Sequence, residues 1–205
     1  MGHQFIIKDL CKMEFMMGLG FAVAGAIKAD AHQHVRVKLA ELINFTEFLK
    51  SSLITCETQA TESGFGTLVP AGGPVMSVRL MFLEHFKRAC EIIQIISAGG
   101  LFMLPSFAEF DGERRPDVER FYQAANLDSR SRIKLFRLAY DAAGSSFSGR
   151  QQLYERFFAA NPVRAADRLY DQYDKAPHIR RIHDMLSDME DGMNKGPDGP
   201  AFTKG

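Results

Sequence analysis

The sequence has 205 residues, 46% of them hydrophobic, and its 25 Lys and Arg residues balance 25 Asp and Glu residues. This hydrophobic share excludes a disordered chain and suits one folded domain with a small appendage. Because the formal net charge is zero, no long-range attraction draws the chain to nucleic acid or to an anionic membrane, and we expect neither as a partner.

Three long helices are predicted in the first half of the chain, at about 4–29, 31–61 and 75–97. Each carries an apolar stripe at the three- to five-residue spacing of one helical face. Helices of this length are typical of bundles. The three stripes consist of Phe5, Leu10, Met13, Met17, Phe21, Ala24 and Ile27; of Val35, Leu39, Leu42, Phe45, Leu49, Leu53 and Cys56; and of Leu80, Leu83, Phe86, Cys90, Ile93 and Ile96.

Three glycines, Gly18, Gly20 and Gly25, interrupt the first helix. Each costs a helix up to about 1 kcal/mol relative to Ala. Glycines inside a helix indicate that a neighbouring helix or a ligand approaches it closely.

Turn residues divide the chain after the second predicted helix. The segment 63–74, SGFGTLVPAGGP, ends the second helix as a loop. An apolar loop, 101–116, suggests an edge packed on a ligand or a partner subunit. Shorter helices are predicted near 117–125, at 129–143 behind the N-cap Asp128, after Gly144, and after Pro162 and Pro177.

No segment alternates as a strand does over more than a few residues. The predicted fold class is therefore all-α, an up-and-down four-helix bundle with additional C-terminal helices. We assign residues 1–160 to the bundle domain, 161–191 to a helical extension and 192–205 to a flexible tail.

Cysteine usage and hydropathy bear on the location of the protein. Cys11, Cys56 and Cys90 are widely spaced, which argues against a disulfide framework, and we interpret them as buried thiols. The longest apolar stretch, 15–27, is shorter than the roughly 20 residues that span a bilayer. We therefore expect a cytoplasmic protein. Because the chain opens directly in a helical pattern, we also expect further sequence upstream.

Motifs that carry chemistry are few. No nucleotide-binding or metal-binding motif is present, and the spacing of the six histidines does not favour a shared metal ion, so no metal is expected. The turn of Ser145, Ser146 and Phe147, with Arg150 one turn on, fits two interpretations. It is either a plain helix N-cap with a surface arginine or a site for an anion such as phosphate.

A second candidate is Gln94, which lies near the end of an apolar helix and about one turn before Gly99 and Gly100. A glutamine amide followed by open glycine backbone suits a planar ring system. The alternative is a purely structural glutamine at a helix end closed by glycine.

Three segments together resemble the 4-hydroxyphenylacetate 3-hydroxylases. They are CEIIQIISAGGLFMLPS (Cys90 to Ser106), the run from Arg132 to Arg164, and KMEFMMGLGFAVA (Lys12 to Ala24). The second is the most specific. Its G-S-x-F-x-x-R-x-x-L-Y-E core comprises Gly144, Ser145, Phe147, Arg150, Leu153, Tyr154 and Glu155.

The resemblance implies a fold and an activity. The fold is the C-terminal helical bundle of the acyl-CoA dehydrogenase architecture. The activity is hydroxylation of a phenol ortho to its hydroxyl group, with reduced FAD supplied by a separate reductase component. The bundle is implied to join subunits, most simply as a homotetramer, and to contact the flavin.

The resemblance also assigns site residues. Gln94 and the turn containing Ser97, Gly99 and Gly100 are implied to approach the flavin nucleotide. Ser145, Ser146, Phe147 and Arg150 are implied to lie close to it as well. No catalytic residue is assigned, because the family's phenol-binding residues lie in upstream domains. The chain alone is therefore expected to be inactive.

Two other interpretations stay open. In one, the chain is the corresponding domain of a 4-hydroxybutyryl-CoA dehydratase-like flavoenzyme, in which His3 and Cys11 would match ligands of an iron–sulfur cluster. In the other, it is a non-catalytic helical scaffold or oligomerisation module.

Overall fold

A computed structural model describes residues 2–158 and 161–194. Within these ranges the chain is almost entirely helical. The helices are α1 (Gly2–Ala26), α2 (Gln33–Thr58), α3 (Gly72–Ser97), α4 (Arg115–Phe121), α5 (Ser129–Ala143), α6 (Ser146–Phe157), α7 (Pro162–Gln172) and α8 (Ala176–Asn194).

Four of these helices form the bundle. Helices α1, α2 and α3 pack against one another, and α5 closes the bundle by packing on α1 and α3. One continuous core runs between them, from Ile6 of α1 through Leu49 of α2 and Phe82 of α3 to Phe136 of α5. The predicted all-α bundle is thus confirmed.

A small hairpin that the sequence did not predict spans the end of the predicted second helix, 31–61, and part of the predicted loop 63–74, because α2 ends at Thr58. Strands β1 (Thr61–Glu62) and β2 (Leu68–Val69) pair antiparallel, and Gly66 turns the chain with a φ of 71°. All four strand residues are exposed. A two-residue strand without a buried face carries no alternation, so no pattern marked it.

The predicted stripe of α2 is confirmed almost throughout, whereas that of α1 is rotated. Phe21, predicted to face the core, is 42% exposed, and the buried face instead follows Ile6, Asp9, Met13 and Met16. Because the charged Asp9 lies on the buried face of α1, the pattern of apolar residues alone predicted the wrong face. Cys11 also lies on the exposed side, so its interpretation as a buried thiol was wrong.

The glycines of α1 have different surroundings. A Cβ added to Gly20 would lie 3.1 Å from Leu42 Cδ1 and 3.2 Å from Leu39 Cδ2, so α2 does pack closely there. Around Gly18 and Gly25 nothing lies within 4 Å of that position. Close helix packing therefore explains only one of the three glycines.

The apolar loop after α3 divides between core and surface. Leu101 joins the main core, and Phe110 packs with Val118 and Ile133 in a small second cluster. Phe102 and Met103 are exposed instead, at 76% and 61%. Part of this loop is therefore structural, and its exposed tip remains apolar.

Of the described residues, those from Tyr170 to Asn194 belong to a second compact unit. Within it, the Lys175 ammonium donates to the Tyr170 carbonyl at 2.6 Å, and the ring of Tyr173 stacks on that of His178. Helix α8 extends to Asn194, and the rest of the predicted tail, 195–205, lies outside the described residues. No helix in the described part of the chain is long and apolar enough to cross a membrane.

Substituting the two kinds of glycine separately tests this packing. Gly18→Ala should raise the free energy of unfolding by about 0.5–1 kcal/mol, because Ala restricts the unfolded chain and meets open space. Gly20→Ala should gain less or lose stability, because its methyl group presses on α2. Urea unfolding at two protein concentrations measures both and shows whether association contributes. Equal stabilisation by the two substitutions would contradict the close approach at Gly20.

Candidate functional site

The C-terminal end of α3 turns sharply. Ala98 has φ 47° and ψ −141°, a region that L-residues rarely adopt and that costs on the order of 1–3 kcal/mol. The chain then makes a short 3-10 turn, Ala98–Leu101. Gly100 permits this turn to touch α5, because an added Cβ would lie only 2.7 Å from Phe136 Cε1.

Gln94 connects the end of α3 to the end of α5, just before α6 begins. Its Nε2 donates to the carbonyl oxygen of Ala143, the last residue of α5, at 2.5 Å. The thiol of Cys90, one turn earlier, points to the Ala142 carbonyl at 3.8 Å. The two segments that the sequence analysis singled out, around 94–100 and 145–150, are therefore neighbours in space.

The serine turn is a helix N-cap. Ser145 Oγ accepts from the Ser148 amide at 3.2 Å and donates to the Asp141 carbonyl at 3.0 Å. The cap interpretation is thus confirmed for the hydroxyl of Ser145. The amides of Ser146 and Phe147 belong to the first helical turn, whose N–H groups have no acceptor inside a helix.

The remaining candidate residues differ in exposure. Ser146, Phe147 and Arg150 are exposed on the first turns of α6. Ser97 is only 4% exposed, and its hydroxyl has no hydrogen-bond partner among the described residues. A buried hydroxyl without a partner is costly, which makes Ser97 the candidate that most needs a polar group from elsewhere.

A cluster of charged residues that the sequence analysis did not identify holds α6 to the bundle. Glu155 of α6, 1% exposed, accepts from Lys8 and Lys12 of α1. Arg79 of α3 donates to the Glu155 backbone carbonyl, and its Nη1 lies 3.7 Å from Oδ2 of the fully buried Asp9. We call these five residues the buried charge cluster.

This cluster is the main anchor of α6. The fully buried residues of α6 are Ser148 and Glu155, both polar. The ring of Phe158, just after the helix, lies under the Lys8 ammonium at 4.3 Å and the Arg79 guanidinium at 4.6 Å. Cation–π contacts of this kind therefore add to the ion pairs.

Burial changes the ionisation of the cluster. Desolvation raises the pKa of Asp9 from 3.8 to about 6, although the neighbouring Lys8 and Arg79 oppose the shift. Burial likewise lowers the pKa of Arg79, against the attraction of Asp9 and Glu155. The low polarity of the surroundings thus outweighs the ion pairs at Asp9.

One sequence signal could have revealed the cluster. Asp9 and Arg79 each occupy a position of their helix at which the stripe period places a core residue, between Ile6 and Met13 and between Val75 and Phe82. Opposite charges on the buried faces of two helices indicate an interior ion pair, because an unpaired buried charge is prohibitively costly.

Comparison with known proteins identifies the family. Residues 1–187 match the family model described as 4-hydroxyphenylacetate 3-hydroxylase C terminal. The chain belongs to this family. It is 38% identical, over 92% of its length, to the oxygenase component of 4-hydroxyphenylacetate 3-monooxygenase from Thermus thermophilus, of which it covers 39%. The chain thus spans about two fifths of this relative.

Solved structures agree on the fold. A 4-hydroxyphenylacetate 3-monooxygenase oxygenase component, complexed with FAD and 4-hydroxyphenylacetate, superposes with a TM-score of 0.89 and 37% identity, covering 94% of this chain and 40% of the other. A 4-hydroxybutyryl-CoA dehydratase from N. maritimus superposes with a TM-score of 0.76, covering 95% of this chain and 39% of the other. At 14% identity, the dehydratase shares the fold alone.

The dehydratase interpretation gains no support from the two residues that suggested it. The His3 ring lies 2.7 Å from a carboxylate oxygen of Glu57, and Cys11 is exposed on α1. Residues eight positions apart on a helix are separated by about 12 Å along its axis. Within residues 2–158 and 161–194, no three or more His, Cys, Asp or Glu side chains are grouped to hold a metal ion.

The ionisation of Asp9 predicts a pH-dependent stability. Because the pKa is raised on folding, the protonated form favours the folded state, an advantage that is complete below pH 3.8 and lost as the pH rises through about 6. Asp9→Asn remains neutral, so it should be more stable than the wild type at pH 8 by up to about 3 kcal/mol and similar to it at pH 4.

Urea unfolding between pH 4 and pH 8 measures this difference. The control is Asp111→Asn, which removes an exposed carboxyl and should change the profile little. A wild-type profile that Asp9→Asn leaves unaltered would contradict the role given to burial.

The turn after α3 can be tested through its two glycines. Gly100→Ala should destabilise the chain by about 1–3 kcal/mol, because its methyl group would overlap the Phe136 ring. Gly99→Ala is the matched control, since its Cβ would meet the nearest atom at 3.7 Å. Thermal and urea unfolding should separate the two variants, and equal effects would show that the turn does not depend on contact with α5.

Proposed function

We propose that the chain is the flavin-flanking and subunit-joining part of a reduced-flavin-dependent phenol ortho-hydroxylase. The observation that carries this proposal is the family match over residues 1–187. In the proposal, a separate reductase supplies reduced FAD, a phenol is the substrate, and the protein works in the cytoplasm. The chain by itself does not hydroxylate phenols.

The proposed cofactor site lies where α3 ends and α6 begins. The relative whose structure contains FAD is 37% identical to this chain, and the residues here fit such a group. Ser97 offers a buried hydroxyl that has no hydrogen-bond partner within the described part of the chain. The first amides of α6 and the exposed Arg150 suit the phosphates of a dinucleotide, because helix N-termini and guanidinium groups favour anions.

Gln94 would then have two functions. Its amide nitrogen donates to the Ala143 carbonyl, so it holds the end of α3 against the end of α5, just before α6 begins, and leaves Oε1 to face a ligand. Bound reduced FAD supplies the oxygen chemistry, whereas the protein orients the cofactor and excludes water. The exposed apolar tip, Phe102 and Met103, suits that exclusion.

Exposed apolar residues on the bundle support the subunit-joining role. Phe15 of α1 is 48% exposed, and Val37 and Ile54 of α2 are 57% and 61% exposed. We interpret these large apolar side chains on the outside of the bundle as parts of surfaces that contact partner subunits. We propose that they are covered in a homo-oligomer, of which a tetramer is the simplest form.

A chimera tests the proposal. This chain replaces the homologous C-terminal segment of the Thermus thermophilus relative, and catechol formation is measured with a flavin reductase, NADH and 4-hydroxyphenylacetate. The chimera should hydroxylate the substrate, whereas this chain alone should form no catechol above the hydrogen peroxide background. In the chimera, Gln94→Ala should weaken flavin binding by at least about tenfold, because it removes the hydrogen bond that joins the ends of α3 and α5.

Gln4→Ala is the matched control, since Gln4 is an exposed glutamine of α1. It should leave flavin affinity unchanged. A chimera that folds and assembles but neither binds FAD nor hydroxylates would contradict the proposed function. Equal flavin affinity in the two glutamine variants would contradict only the residue assignment.

A further inference from the structure

A cavity of about 530 Å³ lies near the N-terminal end of α3, whereas the proposed flavin turn, the turn Ala98–Leu101, follows the C-terminal end of that helix. Its walls come from the starts of α1 and α3, the end of α6 and the start of α7. Four of the twelve lining residues are arginines, and the other eight are apolar residues or glycine. A volume of several hundred cubic ångströms is typical of small-molecule sites.

The cavity is strongly cationic. No Asp or Glu lines it, and Arg156, Arg164 and Arg168 have no carboxylate within 4 Å among the described residues. The fourth arginine, Arg79, pairs with the carboxylates of the buried charge cluster. That cluster has three positive and two negative groups, so its net charge adds positive potential beside the cavity. The N-terminus of α7, which begins at Pro162, contributes further positive potential.

The remaining wall restricts the ligand. Every side chain other than the arginines, for example Phe5, Val75 and Leu83, lacks a hydrogen-bonding group. A sugar or a nucleobase placed there would lose its hydrogen bonds to water without replacement. An apolar body, in contrast, gains from leaving water, and a single carboxylate matches the planar fork of a guanidinium.

We propose that this cavity binds a small apolar monocarboxylate, with Arg164 and Arg168 holding the carboxylate and the apolar wall enclosing the body. The site is distinct from the proposed flavin turn. Arg79 in its wall and Ala98 in the turn are 19 residues apart on one helix, which corresponds to roughly 30 Å. The inference therefore stands independently of the proposed function.

Calorimetric titration of the chain tests the proposal with 4-phenylbutyrate as the probe. It should bind with a Kd below about 1 mM. The neutral analogue 4-phenylbutanol and inorganic phosphate should both bind at least about tenfold more weakly, because each lacks one half of the recognition. Arg164→Gln combined with Arg168→Gln should weaken binding of the probe by at least about tenfold.

The matched control combines Arg114→Gln with Arg120→Gln, two exposed arginines outside the cavity, and should leave affinity unchanged. Both double variants should keep their Tm within about 3 °C of the wild type, since surface substitutions change stability little. Equal binding of the alcohol, or of phosphate, would overturn the proposal. So would an unchanged affinity in the Arg164 and Arg168 variant, or displacement of the probe by FAD.

Discussion

The placement of α6 depends on the buried ion pairs of Glu155. This helix buries only polar residues completely, so hydrophobic packing alone does not determine its position. Glu155 accepts from two lysines of α1, and its backbone accepts from Arg79 of α3. A carboxylate as buried as that of Glu155 is costly unless its partners are well placed, and so these pairs fix α6 in one orientation on the bundle.

That orientation has a consequence at the other end of the helix. Glu155 lies near the C-terminal end of α6, and the cap at Ser145 lies at its start, where α5 has just ended. Charges hold the C-terminal part of α6, and the Gln94 hydrogen bond to Ala143 holds the end of α5, just before α6 begins. The first turn of α6 therefore lies close to the turn after α3. Part of the geometry of the proposed flavin site is thus set by the charged residues around Glu155, which are not proposed to contact the cofactor.

Helix α3 joins the two proposed sites physically. Its C-terminal end turns through the strained Ala98 and the tightly packed Gly100, where an amide, a hydroxyl and helix N–H groups are available. Its N-terminal part lines an apolar cavity surrounded by arginines. Both ends are supported by the same core residues between them, so the helix is a rigid spacer between chemically different surfaces.

The sequence by itself determined the helical fold, because apolar periodicity and turn residues act locally: the stripe of α2 and the bounds of α5 were predicted closely. It also determined the family, through the segments around Gly100 and Glu155. Only the tertiary structure decided which face of α1 is buried, since Asp9 interrupts the apolar period and is accommodated by Arg79, 70 residues away. Likewise, only folding brings Gln94 to Ala143 and gathers arginines from α6 and α7 around one cavity. Contacts between distant segments leave no local pattern, so they become visible only when the helices pack.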